Sequence, residues 1–171
     1  MTIATRTKNS TWMWRGYEIN YQAEGGMGTP VLLIHGFGAS VGHWRKNIPV
    51  LAQSCRCYAI DLIGFGGSAK PTPGAGIDYT FETWGELVVD FCREVIGSPA
   101  ILIGNSIGCI VVLQAAVTQP SWVISVALIN CSLRLLHDRK RAKMAWYRQW
   151  GTRILQSILG VKAIGRLFFR Q

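Results

Sequence analysis

Ser106 lies at the centre of Gly104-Asn105-Ser106-Ile107-Gly108, a G-x-S-x-G pentapeptide. The pentapeptide follows the apolar run Ala100–Ile103 and opens a second apolar stretch, Ile107–Val117. A serine held on a sharp strand-to-helix turn needs neighbours two residues away with almost no side chain, because the turn brings those backbones together. The helix start adds partial positive charge, and its N–H groups face an anion forming on the attacked carbonyl. The chemistry so indicated is acyl transfer, with Ser106 as nucleophile. A glycine-rich turn with a capping serine is the alternative, and the strand–turn–helix context favours the nucleophile.

A second loop of suitable type is His35-Gly36-Phe37-Gly38-Ala39-Ser40, at the end of the apolar run Val31–Ile34. An oxyanion needs an N–H donor from a loop other than the nucleophile's own turn. The backbone N–H of Phe37, beside that of Ile107, is the expected pair. A dinucleotide loop is excluded by spacing, because Val41 stands where G-x-G-x-x-G needs its third glycine. Gly64-Phe65-Gly66-Gly67 fails in the same way, and no G-K-[ST] exists for a P-loop.

Other reactive residue types are few. Three histidines occur: His35 before the oxyanion loop, His43 on an expected helix, and His137 beside Asp138. The first two are read as structural. The third could serve a triad only if sequence-adjacent His and Asp pointed at each other, which is unusual. Asp61 is the one acid in a buried setting and is read as bonding nearby backbone. Cys55 and Cys57 lack C-x-x-C spacing and downstream partners, so neither metal nor cofactor is expected. Five cysteines in all, an odd count at low density, read as reduced thiols of an intracellular protein.

The elements that must position these residues alternate between strand and helix. Trp12–Arg15 and Tyr17–Gln22 read as an antiparallel pair around Gly16. Buried strands are expected at Val31–Ile34, Cys57–Leu62, Ala100–Ile103 and Val123–Ile129. Helical spacing covers Val41–Gln53, then a stretch capped by Thr80 and running to about Ile96, then Ile107–Val117. Lys70–Asp78 is loop by composition. The implied fold class is α/β, with parallel βαβ units and chemistry at the carboxyl ends of the strands. Trp44, Phe37 and Phe65 could line an apolar pocket there or belong to the core.

With 171 residues and 49% of them hydrophobic, the chain is long enough for one domain and too apolar for a disordered segment. Its net charge of +9 is localised. Residues 1–133 carry eight basic and eight acidic side chains, and residues 134–171 carry ten basic ones against Asp138 alone. A basic pI arising from one segment gives no ground for a nucleic-acid partner. Residues 95–133 carry no charge, but Asn105, Ser106, Gln114 and Pro120 interrupt them. The clean apolar pieces fall far short of the roughly 20 residues a membrane span needs. The first sixteen residues contain no apolar core of signal-peptide type, so a cytoplasmic location is expected.

HGFGAS (35–40), DLIGFGGS (61–68) and GNSIG (104–108), in this order and spacing, resemble the N-terminal portion of an α/β-hydrolase-fold serine hydrolase. The stretch YTFETWGELVVDFCREVIGSPAILIGNSIG further resembles the cyanobacterial and plastid branch that includes pheophytinase-like enzymes. The resemblance implies a mostly parallel sheet with flanking helices, incomplete at its C-terminal end. It implies Ser106 as nucleophile and the N–H groups of Phe37 and Ile107 as oxyanion hole. The substrate class is a carboxylic ester with an apolar group, without cofactor. The family's order of Ser, then acid, then His places the last two groups outside this chain. Cys109 stands where relatives usually carry a further glycine.

Residues 1–133 are accordingly expected to form the N-terminal part of the core domain, and 134–171 the start of a helical lid. Tyr147, Trp150, Ile154, Ile158 and Val161 share one helical face, edged by Arg148 and Arg153. That pattern suits either a lid packed over the site or peripheral contact of residues 137–171 with anionic lipid. A non-catalytic α/β-hydrolase-like fragment that binds a partner or lipid is the alternative function.

Overall fold

The computed structural model describes residues 8–74 and 76–131. The expected lid segment and His137-Asp138 lie outside the described residues. Six strands form one mixed sheet in the order β1-β2-β4-β3-β5-β6. They are β1 (Lys8–Trp14), β2 (Tyr17–Glu24), β3 (Pro30–Ile34), β4 (Arg56–Ile60), β5 (Ala100–Asn105) and β6 (Val123–Ile129). The α-helices among the described residues are α1 (Ile48–Leu51), α2 (Phe81–Phe91) and α3 (Ile107–Thr118).

The hairpin β1–β2 turns through Arg15 and Gly16, both at positive φ (52° and 83°), and pairs Trp14 with Tyr17. Two consecutive positive φ values match the twist of an antiparallel ribbon, and the glycine carries one of them without strain. β2 joins β4 antiparallel, whereas β3–β4, β3–β5 and β5–β6 are parallel. All five residues of β3 are buried, as expected of a strand covered on both faces.

Alternation along the strands divides the core into two layers. Val31, Leu33, Cys57 and Ala59 point to the face covered by Val41, Trp44 and Ile48. The opposite face receives α2, whose Phe91 ring sits edge-on to Tyr21 and Tyr58 at 5.1 and 6.1 Å. α3 packs beside α2, and Gly85 permits it: a Cβ there would lie 2.8 Å from Gln114 Cγ. Thr80 caps α2, its Oγ1 accepting from Thr83 N–H at 3.1 Å. The helix passes into a π turn (Cys92–Ile96) and ends at Gly97 in the left-handed region.

The continuous helix expected over Val41–Gln53 is a 3₁₀ turn (Val41–Trp44) followed by the one-turn α1. Pro49 has no N–H to give and is tolerated only in a first turn, so the helix restarts around it. The Asn47 N–H bonds Trp44 O at 2.8 Å across the break.

By compactness the described residues divide into 8–70 with 80–131, and a second unit to which Pro71–Tyr79 belong. Within the described part of the second unit, Tyr79 OH donates to Pro71 O at 2.7 Å and Gly74 N–H to Ile77 O at 3.2 Å.

Candidate active site

β3 is the point at which the winding of the sheet reverses, with β4 on one side and β5 on the other. Ligands in open α/β sheets bind at the carboxyl ends of the strands flanking such a reversal. The loops there are Gly36–Ser40 after β3 and the Ser106 turn after β5.

A single residue separates β5 from α3. Ser106 takes φ 55° and ψ −116°, a conformation that costs a side-chain-bearing residue about 1–3 kcal/mol. Its neighbours leave room for nothing else. A Cβ on Gly104 would run into Gly108 O and lie 2.6 Å from Cys109 N. One on Gly108 would lie 2.5 Å from Ile34 O and 2.7 Å from His35 O. Both glycines of the pentapeptide are thus required by close backbone approach. The turn is pinned from outside by Ser106 N–H donating to Ile129 O at 3.0 Å. The Ser106 side chain does not cap α3.

The loop after β3 leans on the same serine. A Cβ on Gly36 would lie 3.1 Å from Ser106 Cβ and 3.4 Å from the Asn105 amide nitrogen. The side chain of Phe37 is half-exposed, and its ring meets Phe65 edge-on at 5.6 Å. Phe65 in turn contacts His35 at 5.6 Å and Trp84 at 5.7 Å. Phe37, Ser106 and Ile107 are therefore brought to one end of the sheet. Trp44 is not: it is buried beneath β3 with Val31, Leu33 and Ile48.

His35 is fully buried, and both ring nitrogens are engaged. Nδ1 donates to Gly36 O at 2.7 Å, and Nε2 accepts from Leu62 N–H at 3.1 Å. Burial holds its pKa below the ordinary value. The Gly36 carbonyl and the Asp61 carboxylate, with Oδ1 3.9 Å from Nε2, oppose that shift without overcoming it. The imidazole is a neutral strut between the two loops.

Asp61 is equally committed. Oδ1 accepts from Val41 N–H at 2.6 Å, and Oδ2 accepts from Gly67 N–H at 2.7 Å and Asn20 Nδ2 at 2.8 Å. Ser68 Oγ completes the knot by donating to Asp61 O at 2.7 Å. This carboxylate closes its own loop at Gly67 and ties it to β2 and to the start of the 3₁₀ turn at Val41.

Sequence reasoning missed the pair His43–Asn105. His43 is exposed, and its Nε2 lies 3.4 Å from Asn105 Nδ2. The signal in the sequence was the position of Asn105 inside the pentapeptide; nothing marked His43. Among the described residues no three His, Cys, Asp or Glu side chains converge as a metal site, and no helix is long and apolar enough to cross a membrane.

The alpha/beta hydrolase fold family matches residues 29–155, and the chain belongs to that family. Among curated relatives, 2-hydroxy-6-oxo-6-(2'-aminophenyl)hexa-2,4-dienoic acid hydrolase of Metapseudomonas resinovorans is 37% identical over 119 residues, covering 67% of this chain and 39% of that protein. The (lyso)-N-acylphosphatidylethanolamine lipase of Mus musculus is 33% identical over 110 residues, covering 60% and 30%. The chloroplastic pheophytinase of Arabidopsis thaliana is 29% identical over 161 residues, covering 76% and 33%. A solved membrane phospholipase A, described as a bacterial virulence factor, superimposes with a TM-score of 0.69 at 31% identity, over 74% of this chain and 40% of that one. The chain thus spans well under half the length of these relatives.

Proposed function

We propose that the protein is a serine hydrolase of carboxylic esters bearing an apolar group. The observation that carries the reading is Ser106 at φ 55° on a one-residue strand-to-helix turn, with the Gly36 loop packed against its Cβ. A fold retains such strain where it positions a reacting group. In this reading Ser106 Oγ attacks the ester carbonyl and gives its proton to a general base. The N–H groups of Phe37 and Ile107 receive the resulting oxyanion. Ile107 is the first residue of α3, where helix N–H groups have no intrahelical partner. Collapse expels the alcohol with a proton from the base, and water then hydrolyses the acyl-enzyme through the same steps in reverse order. A donor of this kind is worth about 10²–10³ in rate.

His35 cannot be the base, because both its nitrogens are spent on structure. The reading therefore assigns base and acid to chain beyond these 171 residues, within the part of the relatives that this chain does not span. Residues 134–171 are proposed as the start of a lid. The exposed ring of Phe37, the residue after Gly36, supports an apolar acyl or alkoxy group. Relatives named as lipase, pheophytinase and phospholipase support a lipid-like ester met at a membrane surface.

The test is labelling of the protein, expressed from its complete reading frame, with a fluorophosphonate probe. Labelling of the wild type that disappears in Ser106→Ala is expected. Labelling that survives the substitution overturns Ser106 as nucleophile, and a wild type that never labels favours the non-catalytic fragment.

A further inference from the structure

Cys109 and Cys131 come together behind the Ser106 turn. The β5–β6 register sets Asn105 beside Ile129, and Asn130, at φ 50°, bends the chain as the strand ends. Cys131 follows at once. Cys109 lies in the first turn of α3, fully buried, with its Sγ 3.1 Å from Gly104 O and 3.3 Å from Ile129 O. The thiol of Cys131, two residues beyond Ile129 and partly exposed, is near enough to Cys109 to help raise its pKa. Ile129 O is therefore shared by the S–H of Cys109 and the N–H of Ser106.

The geometry points to a disulfide site between Cys109 and Cys131, closed by a low-molecular-weight disulfide such as oxidised glutathione, which staples the end of β6 to the start of α3. The reaction runs in two exchanges. The Cys131 thiolate attacks one sulfur of the reagent, forming a mixed disulfide and releasing one thiol. Cys109 then loses its proton and attacks Cys131 Sγ, releasing the second thiol. Two protein thiols are oxidised, one reagent disulfide is reduced, and the two protein protons leave on the two small thiols.

The order of attack follows from exposure and acidity. Burial, together with the neighbouring Cys131 thiol, pushes Cys109 up to about 11, so it is a poor opening nucleophile. Contact with Cys131 makes its own step intramolecular, which offsets that handicap. Cys57 and Cys92 are buried and pushed up to about 12, chiefly by desolvation, and are not expected to compete.

The experiment treats the full chain with oxidised glutathione, blocks residual thiols, and maps peptides by mass spectrometry. Wild type should lose two hydrogens and yield a peptide pair joined through Cys109 and Cys131. Cys109→Ser should stop at a glutathione adduct on Cys131, and Cys131→Ser should leave Cys109 unmodified. The wild-type map decides by itself should either variant fold poorly. A wild type that stays at the adduct, that remains unmodified at Cys131, or that joins Cys131 to Cys55, Cys57 or Cys92 overturns the proposal.

Discussion

The amide of Asn105 stands 3.4 Å from Nε2 of His43, joining the 3₁₀ turn after the Gly36 loop to the residue that precedes Ser106. Gly36 is held against the same amide, so one side chain touches both halves of the proposed site. His43 acts here as an acceptor on an exposed surface, and its contribution to folding is correspondingly small. A single hydrogen bond is worth about 0.5–1.5 kcal/mol, which in a rate is roughly two- to tenfold. His43→Ala is therefore expected to lower kcat/KM for an apolar ester by that factor while the melting temperature hardly moves. His43→Gln, whose carbonyl can still accept, should recover most of it. Equal rates for all three proteins would remove the contact from the site.

Gly108→Ala tests the close approach between α3 and the end of β3. The added methyl would meet two carbonyl oxygens, Ile34 O at 2.5 Å and His35 O at 2.7 Å, both backbone and unable to rotate aside. Overpacking of this kind costs about 1–3 kcal/mol. Chemical denaturation should show a loss in that range or above. An unchanged midpoint would mean that β3 and α3 are free to separate.

Asp61→Asn separates a structural carboxylate from a catalytic one. Both oxygens accept from N–H donors, so an amide must turn its NH₂ toward at least one of them. Leaving a buried donor unpaired costs about 1–3 kcal/mol. Stability should fall by that amount, while kcat of the protein that remains folded should stay near wild type. A large drop in kcat with unaltered stability would return Asp61 to the reaction.

These relationships were unevenly legible in the sequence. β3, β4, β5 and β6 show as apolar runs ending in glycine or a turn. β3 needs no polar alternation because both its faces are covered, whereas β6, expected to be buried, is the sheet's edge strand and largely exposed. The Ser106 turn shows because both flanking glycines are sterically forced. Strand order does not show: nothing local says that β4 and β5 take opposite sides of β3. The 41–53 segment misled for a related reason. Its apolar spacing fits one helix, yet Pro49 and the Asn47 turn divide it, turning Trp44 into the core and leaving His43 beside Asn105. Cys109 stood out as a departure from a family pattern, but its partner Cys131 emerges only once β6 is paired.

The last prediction concerns acid. His35 is buried as the neutral imidazole, its Nε2 facing Leu62 N–H, so a second ring proton would point at a donor. Desolvation lowers its pKa from the ordinary 6.5; the Asp61 carboxylate pulls the other way, and His43 adds a weaker downward push. The sign follows from linkage: below about 6.5 the unfolded chain takes up a proton that the native state refuses. Stability from the neutral His35 is thus complete above that pH and is lost as pH falls toward the lowered native value. One proton of difference gives a slope of at most about 1.4 kcal/mol per pH unit. Denaturation between pH 7 and pH 5 should show this loss in wild type. His35→Gln should be less stable at pH 7, where its side chain replaces the imidazole imperfectly, and should have a flatter acid branch. Parallel curves for the two proteins would mean that His35 accepts its proton in the folded state.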